Sequence, residues 1–431
     1  MLRNILLGTG VFAALFSVLI FSGKIPLGNK ADKPQGQVVL WGTLPQHEMD
    51  NLIKEFNPKA KTYKVIYAEV KESVFTQKLT DELANGSGPD MILAPHQIIL
   101  SQTSRLYPFP VQYFSEKKYK DTYVDGASIF YNPAGSLALP VAIEPMVLFY
   151  NRTLLSKHGI VNPPTYWDEL SVMAPKLTLT NSKGQFVESA VSIGTPNTPY
   201  AKDILMSIVT QLGQTPVLTQ YTQEGSVVNV LANSPTSDNG EVRPLSTALR
   251  FFTQFADPTK STYSWNPFVG KADDIFVAEK LAMYIGYSGE LNSLRARNPK
   301  GDFEMANLPQ TRGYNTFSTG ARVYGIATLR TTKNPTVSLQ IEADFSSAGI
   351  SPSIAAITGG VPALRAYAST QGLNDVVSRG MLVARPWYDN FPNESNNYIS
   401  SMIFDVINNR KDINEAVSTF VSRLQDLYNP Y

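Results

Sequence analysis

Residues 37–94, QVVLWGTLPQHEMDNLIKEFNPKAKTYKVIYAEVKESVFTQKLTDELANGSGPDMILA, decide the fold class. Three short apolar runs, QVVLW (37–41), KVIYA (64–68) and DMILA (90–94), have the length and β-branched content of buried strands. Between the first two, Met49, Leu52, Ile53 and Phe56 recur at helical spacing. Between the second and third, Phe75, Leu79 and Leu83 fall four apart on one helix face. NGSGP (85–89) then supplies glycines where a helix C-cap wants them. The order β-α-β-α-β predicts a parallel sheet with helices on both faces. Ligands of such sheets bind beyond the carboxyl ends of the strands, which here are residues 41–46 and 94–97.

Further along, LALPVAIEPMVLFY (137–150) is a long apolar run broken by Pro140 and Pro145. Proline bars a continuous central strand, so two strands with a joint are expected. Glu144 lies inside this run. A carboxylate there needs a partner, and both a buried ion pair and a ligand contact satisfy that need. Residues 154–159 read as a helix stopped by Gly159, and PPTYWDEL (163–170) as a helix start with Thr165 as N-cap. Residues 278–286 end in a strand, 287–291 reopen a helix, and 323–328 form another strand. Residues 413–427 close the chain as an amphipathic helix, with Val417, Phe420, Val421, Leu424 and Leu427 on one side. Residues 226–241 are polar, with glycine and proline, and read as a surface loop.

The 431 residues exceed one compact core and suggest two or three domains. With 43% apolar residues and a formal net charge of +1, neither wholesale disorder nor a field for nucleic acid is indicated. The low charge and many tyrosines suit an uncharged polar ligand. No cysteine is present, which excludes disulfides, thiolate chemistry and lipid attachment through a cysteine. Residues 5–23 (ILLGTGVFAALFSVLIFSG) carry no charge and approach the roughly 20 residues of a membrane-spanning helix. The bulky Phe21 disfavours a cleavage site there. Residues 1–23 are therefore expected to be an uncleaved signal-anchor, with secretion after cleavage as the alternative, and 24–36 a flexible linker.

In this order the motifs resemble those of the family 1 extracellular solute-binding proteins, the class of the maltose-binding protein. The resemblance rests on the strand ending in Trp41, on GPDMILAPHQ (88–97), and most of all on LPVAIEPMVLFYN (139–151) followed by 154–155 and 163–170. Residues 278–286, GGVPA (359–363) and 414–417 match weaker family features. It implies a type II, periplasmic-binding-protein-like α/β fold of two lobes, with the ligand cleft between them and hinge closure on binding. The boundaries expected are 37–143 plus 309–348 for lobe 1, and 144–308 plus 349–431 for lobe 2. It further implies capture of a sugar or oligosaccharide and delivery to the permease subunits of an ABC transporter. The protein is then an extracytoplasmic monomer tethered to the cell membrane by its N-terminal helix. The ligand-binding residues implied are Thr43, His96, Gln97, Glu144, Tyr200, Tyr287 and Trp387. Aromatic rings offer flat apolar faces to sugar C–H groups, and a few polar groups fix orientation. The bland reading of each aromatic is a half-buried packing residue with a wet tip.

No catalytic residue, metal or cofactor is expected. His47, His96 and His158 are few for a triad or a metal site, and His47-Glu48 lacks the second histidine of the zinc-protease pattern. Residues 286–289 (GYSG) are one residue short of a nucleophile elbow. Gly270-Lys271 lacks the rest of a phosphate loop. Asp273 and Asp274, adjacent on a helix, should point apart into solvent. Asn151-Arg-Thr fits a glycosylation sequon, which has no meaning in a bacterial setting. Two rival functions remain: a surface enzyme acting on glycans with Glu144 as acid or base, and an adhesion module reusing the fold.

Overall fold

The structure, a computed structural model, describes residues 36–58, 63–222, 225–235, 242–315, 317–368 and 375–429. The membrane anchor and most of the linker expected for residues 1–36 lie outside them. No described helix is long and apolar enough to cross a membrane.

By contact density the described chain forms two compact units. The first takes the residues up to Ile143 and from Val323 to 368; the second takes Glu144 to Arg322 and the residues from 375 on. The return positions differ from the 309 and 349 read from sequence, for local reasons. Phe303–Asn307 pairs antiparallel with residues 147–151. Gly320 accepts from the Met146 amide, and Thr319 bonds with Val383 and Arg385. These bonds keep 309–322 in the second unit. The helix Ser351–Thr358 leads into Val361–Pro362, which pairs with Ala142 and Ile143 and keeps 349–368 in the first.

In the first unit, Gln37–Gly42 lies between Lys64–Glu69 and Met91–Pro95, parallel to both. The strand Ala321–Leu329 pairs antiparallel with Met91–Pro95. The intervening helices are Gln46–Phe56 and Phe75–Ala84. Met49, Ile53, Phe56, Phe75 and Leu79 are buried, which is the apolar stripe read from their spacing. Gly86 follows the second helix at φ +72, a left-handed turn that glycine takes without steric cost.

The second unit is built on residues 146–151, flanked by Leu281–Tyr287 and Phe303–Asn307, both antiparallel. Phe186–Val191 pairs parallel with Leu281–Tyr287. Side chains alternate along a strand. Met146 and Leu148 enter one core, with Leu205, Phe252 and Phe420, while Val147 and Phe149 enter another, with Phe276, Tyr284 and Phe303. A sheet buried on both faces explains why 146–150 reads as continuous apolar sequence.

Several local expectations change. Residues Leu139–Asn151 form one strand, not two. Its prolines are tolerated because the strand changes partners there: 142–143 pair with Val361–Pro362 and 146–151 with other strands, so Pro145 meets no demand for an N–H. The Pro145 carbonyl still accepts from Ser288. Tyr166, not Thr165, is the N-cap of Trp167–Leu177, and Glu169 Oε2 accepts from both their amides. Residues Gly225–Val230 are a strand paired with Val217–Thr222, not part of a loop. Val228 and Val230 pack into the core, and the Gln425 side chain accepts from Val230 and donates to Val228. The C-terminal helix, Ile413–Tyr428, is capped by Asp412, which accepts from Asn414 and Glu415. Asp273 and Asp274 do not diverge; both pair with Arg297. Asn151 is buried, and its side-chain oxygen accepts from Leu154 as a helix cap.

Glu342, on the helix Pro335–Phe345, is fully buried in the first unit. Burial pushes its carboxyl well above the ordinary range, eased by Thr328, and Asp344 is raised likewise, eased by the Tyr63 hydroxyl. A carboxyl with a raised native pKa binds protons more tightly folded than unfolded. Its stabilising effect is full below the unfolded value near 4.3 and is lost as pH rises through the native one. Stability should fall across that window by up to about 1.4 kcal/mol per pH unit per group. Glu342→Gln should flatten the slope of the unfolding midpoint between pH 5 and 8. An unchanged slope in the variant would mean that Glu342 does not hold its proton.

Candidate functional site

Thr43, His96 and Gln97 come together at the carboxyl ends of adjacent strands in the first unit. Gly42 is in register with Leu93, and the Thr43 amide donates to the Leu93 carbonyl at 3.3 Å. His96 opens the helix His96–Ser101 directly after Pro95, and its Nδ1 accepts from the Val323 amide at 3.2 Å. His96 is fully buried. Thr43 Oγ1 and Gln97 Oε1 are buried oxygens with no hydrogen-bond partner among the described residues. A buried polar atom left so is costly, and native proteins keep few of them. Trp41, beside them in sequence, is buried under the Lys78 ammonium, 5.0 Å from its ring centre.

The second unit gathers Glu144, Tyr200, Tyr287 and Trp387, with three charged residues that sequence reasoning did not single out: Asp203, Glu290 and Arg322. Tyr200 precedes the helix Ala201–Gln211 at φ +56 and ψ 26, left-handed backbone that a bulky residue rarely takes. Such strain, on the order of 1–3 kcal/mol, persists only where surrounding contacts enforce it. Its ring meets that of Tyr287 edge to face, with centroids 4.9 Å apart. Tyr287 ends the strand Leu281–Tyr287, and its amide donates to Glu290 Oε1 at 2.8 Å. Glu290 Oε2 accepts from the Tyr284 hydroxyl at 2.6 Å, and Tyr200 also bonds to this carboxylate. Gly286 makes room for it: a Cβ there would lie 2.5 Å from Glu290 Oε1.

Asp203, in the first turn of the Ala201–Gln211 helix, accepts from Trp387 Nε1 at 3.2 Å and is hydrogen-bonded by Tyr287. Arg322 is the second residue of the return strand, Ala321–Leu329. Its guanidinium lies 4.4 Å from the Tyr287 ring centre and 5.8 Å from that of Tyr200. Its Nη1 stands 3.8 Å from Glu144 Oε2. At that separation and an effective dielectric near 20 the attraction is roughly 4 kcal/mol before desolvation, which offsets part of the cost of burying Glu144.

The titrations follow from these contacts. Burial pushes the Glu290 carboxyl up, opposed by Tyr284, the Tyr287 amide and Arg322. Burial also pushes the Tyr200, Tyr284 and Tyr287 phenols up, so each remains a hydroxyl donor. Tyr287 and Trp387 are themselves buried. The assembly thus offers ring edges, hydroxyls, one guanidinium and carboxylates, the equipment for holding a polar molecule. Among the described residues no group of three His, Asp or Glu is placed to hold a metal ion. Of the missed charges, Arg322 did leave a faint trace: it is a lone cation at the start of the apolar strand Ala321–Leu329.

A family model described as bacterial extracellular solute-binding protein matches residues 51–372. Among solved structures, an ABC substrate-binding protein of Listeria monocytogenes in complex with cycloalternan aligns over 91% of this chain and 99% of its own, at 15% identity and a TM-score of 0.71. The GacH receptor of Streptomyces glaucescens, solved unliganded and with acarbose, aligns over 93% and 100%, at 17% identity and 0.69. A cyclic alpha-maltosyl-1,6-maltose binding protein of Arthrobacter globiformis aligns over 92% and 99%, at 15% identity and 0.71. These likenesses establish the two-lobed, periplasmic-binding-protein-like α/β fold. A Brucella abortus protein named as a binding protein is 27% identical over 108 residues, 24% of this chain. The chain spans about a quarter of that relative's length.

The frame behind the cluster is a buried ion pair. Lys202 Nζ donates to Asp389 Oδ2 at 2.7 Å and to Ser395 Oγ at 3.1 Å, and lies 5.2 Å from the Trp387 ring centre. Removing one partner of such a pair leaves a buried charge uncompensated, at a cost of about 3–5 kcal/mol. Lys202→Met should lower unfolding stability by that amount in urea titration, and adding Asp389→Asn should recover part of it. Equal stability of the single and double variants would show that Lys202 and Asp389 are not coupled.

Proposed function

Because the chain belongs to the bacterial extracellular solute-binding proteins, we propose that it captures a carbohydrate outside the cytoplasm and delivers it to an ABC importer. The observation that carries this reading is the second unit's cluster. Tyr200 is held against Tyr287 on strained backbone, with the phenols tied to Glu290 and Asp203 and with Glu144 and Arg322 alongside. Rings and fixed donors and acceptors of this kind suit a polyhydroxylated molecule. The neighbours of like fold that hold cycloalternan or acarbose support the same reading.

In this proposal Glu144, Tyr200, Tyr287 and Trp387 serve the ligand from the second unit, and Thr43, His96 and Gln97 from the first. The buried Thr43 and Gln97 oxygens support a part in binding, since a ligand hydroxyl would satisfy them. The family is one of binding proteins; that no turnover follows capture, that hinge closure accompanies it, and that the protein acts as a monomer tethered by residues 1–23 belong to the proposal.

The test is calorimetric titration and thermal shift of the purified chain with maltotetraose, mannobiose, cycloalternan and acarbose. At least one should bind saturably and emerge unchanged on chromatography. Trp387→Ala and Tyr200→Ala should each weaken binding about tenfold or more, the scale for losing a buried aromatic anchor. Silence across the panel would remove the carbohydrate assignment. Product release abolished by Glu144→Gln would make the protein an enzyme instead.

A further inference from the structure

The first unit's sheet has a free edge, and side chains already occupy it. Among the described residues Lys64–Glu69 is the outermost strand of that sheet, with Gln37–Gly42 on one side only. The Lys64 amide donates to the Gly36 carbonyl, and the Val70 amide to that of Gly42. Alternation along the strand therefore turns the backbone groups of Val65, Tyr67 and Glu69 outward, where a sheet edge offers its N–H and C=O groups to another strand. Here most of them are taken. Asn57 Oδ1 accepts from the Val65 amide at 2.9 Å, and its Nδ2 donates to the Val65 carbonyl at 3.0 Å. Gln46 Oε1 accepts from the Glu69 amide at 2.8 Å, and its Nε2 donates to the Tyr67 carbonyl at 3.2 Å. We propose that Asn57 and Gln46 close this edge against strand addition by a second copy of the chain.

A side-chain amide carries the donor and acceptor of a peptide group, so each of these two stands in for a residue of a neighbouring strand. Both are placed by one helix: Gln46 is its first residue, and Asn57 follows its last. That helix is fixed by its buried Met49, Ile53 and Phe56. Its 11 residues span about 16 Å, and residues 65 to 69 span about 13 Å, so one amide reaches each end of the strand. The strand needs such a guard. Its sequence, KVIYAE, is rich in β-formers and has neither proline nor glycine, and Ile66 is 37% exposed. Its charges also suit a copy of itself, since an antiparallel partner would set Lys64 of one chain near Glu69 of the other. The second unit repeats the device. Gln425 Nε2 and Asn429 Nδ2 both donate to the Val228 carbonyl, and Gln425 Oε1 accepts from the Val230 amide.

The test compares the full chain with the double variant Gln46→Ala/Asn57→Ala, in a mild detergent that covers the apolar run 5–23 equally in both. Light scattering after gel filtration should give a parent mass that does not change with protein concentration. The mass of the double variant should rise toward double that value as the protein is concentrated. Hydrogen exchange supplies a readout that lost packing would not. At high dilution the 64–69 segment of the variant should exchange roughly three- to tenfold faster than in the parent, the scale of one lost hydrogen bond. Its protection should return at concentrations where the dimer forms, because the second strand then supplies the partners. Adding Ile66→Lys, a charge on the edge, should restore the monomer and leave the fast exchange in place. Melting of each variant shows whether it is folded; if the double variant is not, Asn57→Ala alone carries the same measurements. A folded variant that stays monomeric at every concentration overturns the proposal. So does association that leaves 64–69 unprotected or ignores Ile66→Lys, and so does a parent whose 64–69 protection already rises with concentration. None of these outcomes touches the carbohydrate reading, in which neither Gln46 nor Asn57 serves the ligand.

Discussion

A carboxyl buried in an apolar strand must either keep its proton or be given a counter-charge, and at Glu144 a counter-charge is supplied. Its side chain is almost wholly enclosed, and Arg322 reaches it from the start of the strand that leaves the second unit. The two residues are far apart in sequence but each adjoins a point where the chain passes from one unit to the other. The charges that make the second unit polar at this place are thus carried by the strands that give the chain its two-unit form.

Around that pair the other groups are satisfied in sequence. Arg322 lies over Tyr287, Tyr287 bonds to Asp203, Asp203 accepts from Trp387, and Trp387 rests beside Lys202, whose charge is answered by Asp389. Glu290 closes a second branch through Tyr284 and Tyr200. Networks of this kind are stable only when most members are paired, because an unsatisfied polar group in low dielectric costs more than the bond it lacks. The same pairing holds the rings rigid, and rigid rings and donors bind with less loss of side-chain freedom.

How much of this was legible varies by element. The opening β-α-β-α-β order, the stripe Met49–Ile53–Phe56 and the closing helix with Phe420 and Leu424 follow from periodicity, since each buries a face that the sequence marks every two or every three to four residues. The hairpin strand Gly225–Val230 was missed because its Val-Val-Asn-Val run is short and set among polar residues; its burial comes from Gln425 and the C-terminal helix, some two hundred residues on. The joint expected at Pro145 became a change of pairing partners, which leaves no mark in composition. Glu144, Tyr200, Tyr287 and Trp387 stood out as candidates through family resemblance, whereas Asp203, Glu290 and Arg322 did not, because a single charged residue near an element's end is ordinary in any surface.

The sequence by itself determined that this is an α/β protein with parallel strands near its start, an apolar N-terminal run, no cysteine chemistry, and a carboxylate at 144 that had to be answered by something. Those are consequences of local pattern and composition. Only the tertiary structure decided what answers it, which face of Tyr287 is covered, and which charges share one place. These depend on residues brought together from distant parts of the chain, and the free energy of a buried charge is set by what stands a few ångströms away, whatever its distance in sequence.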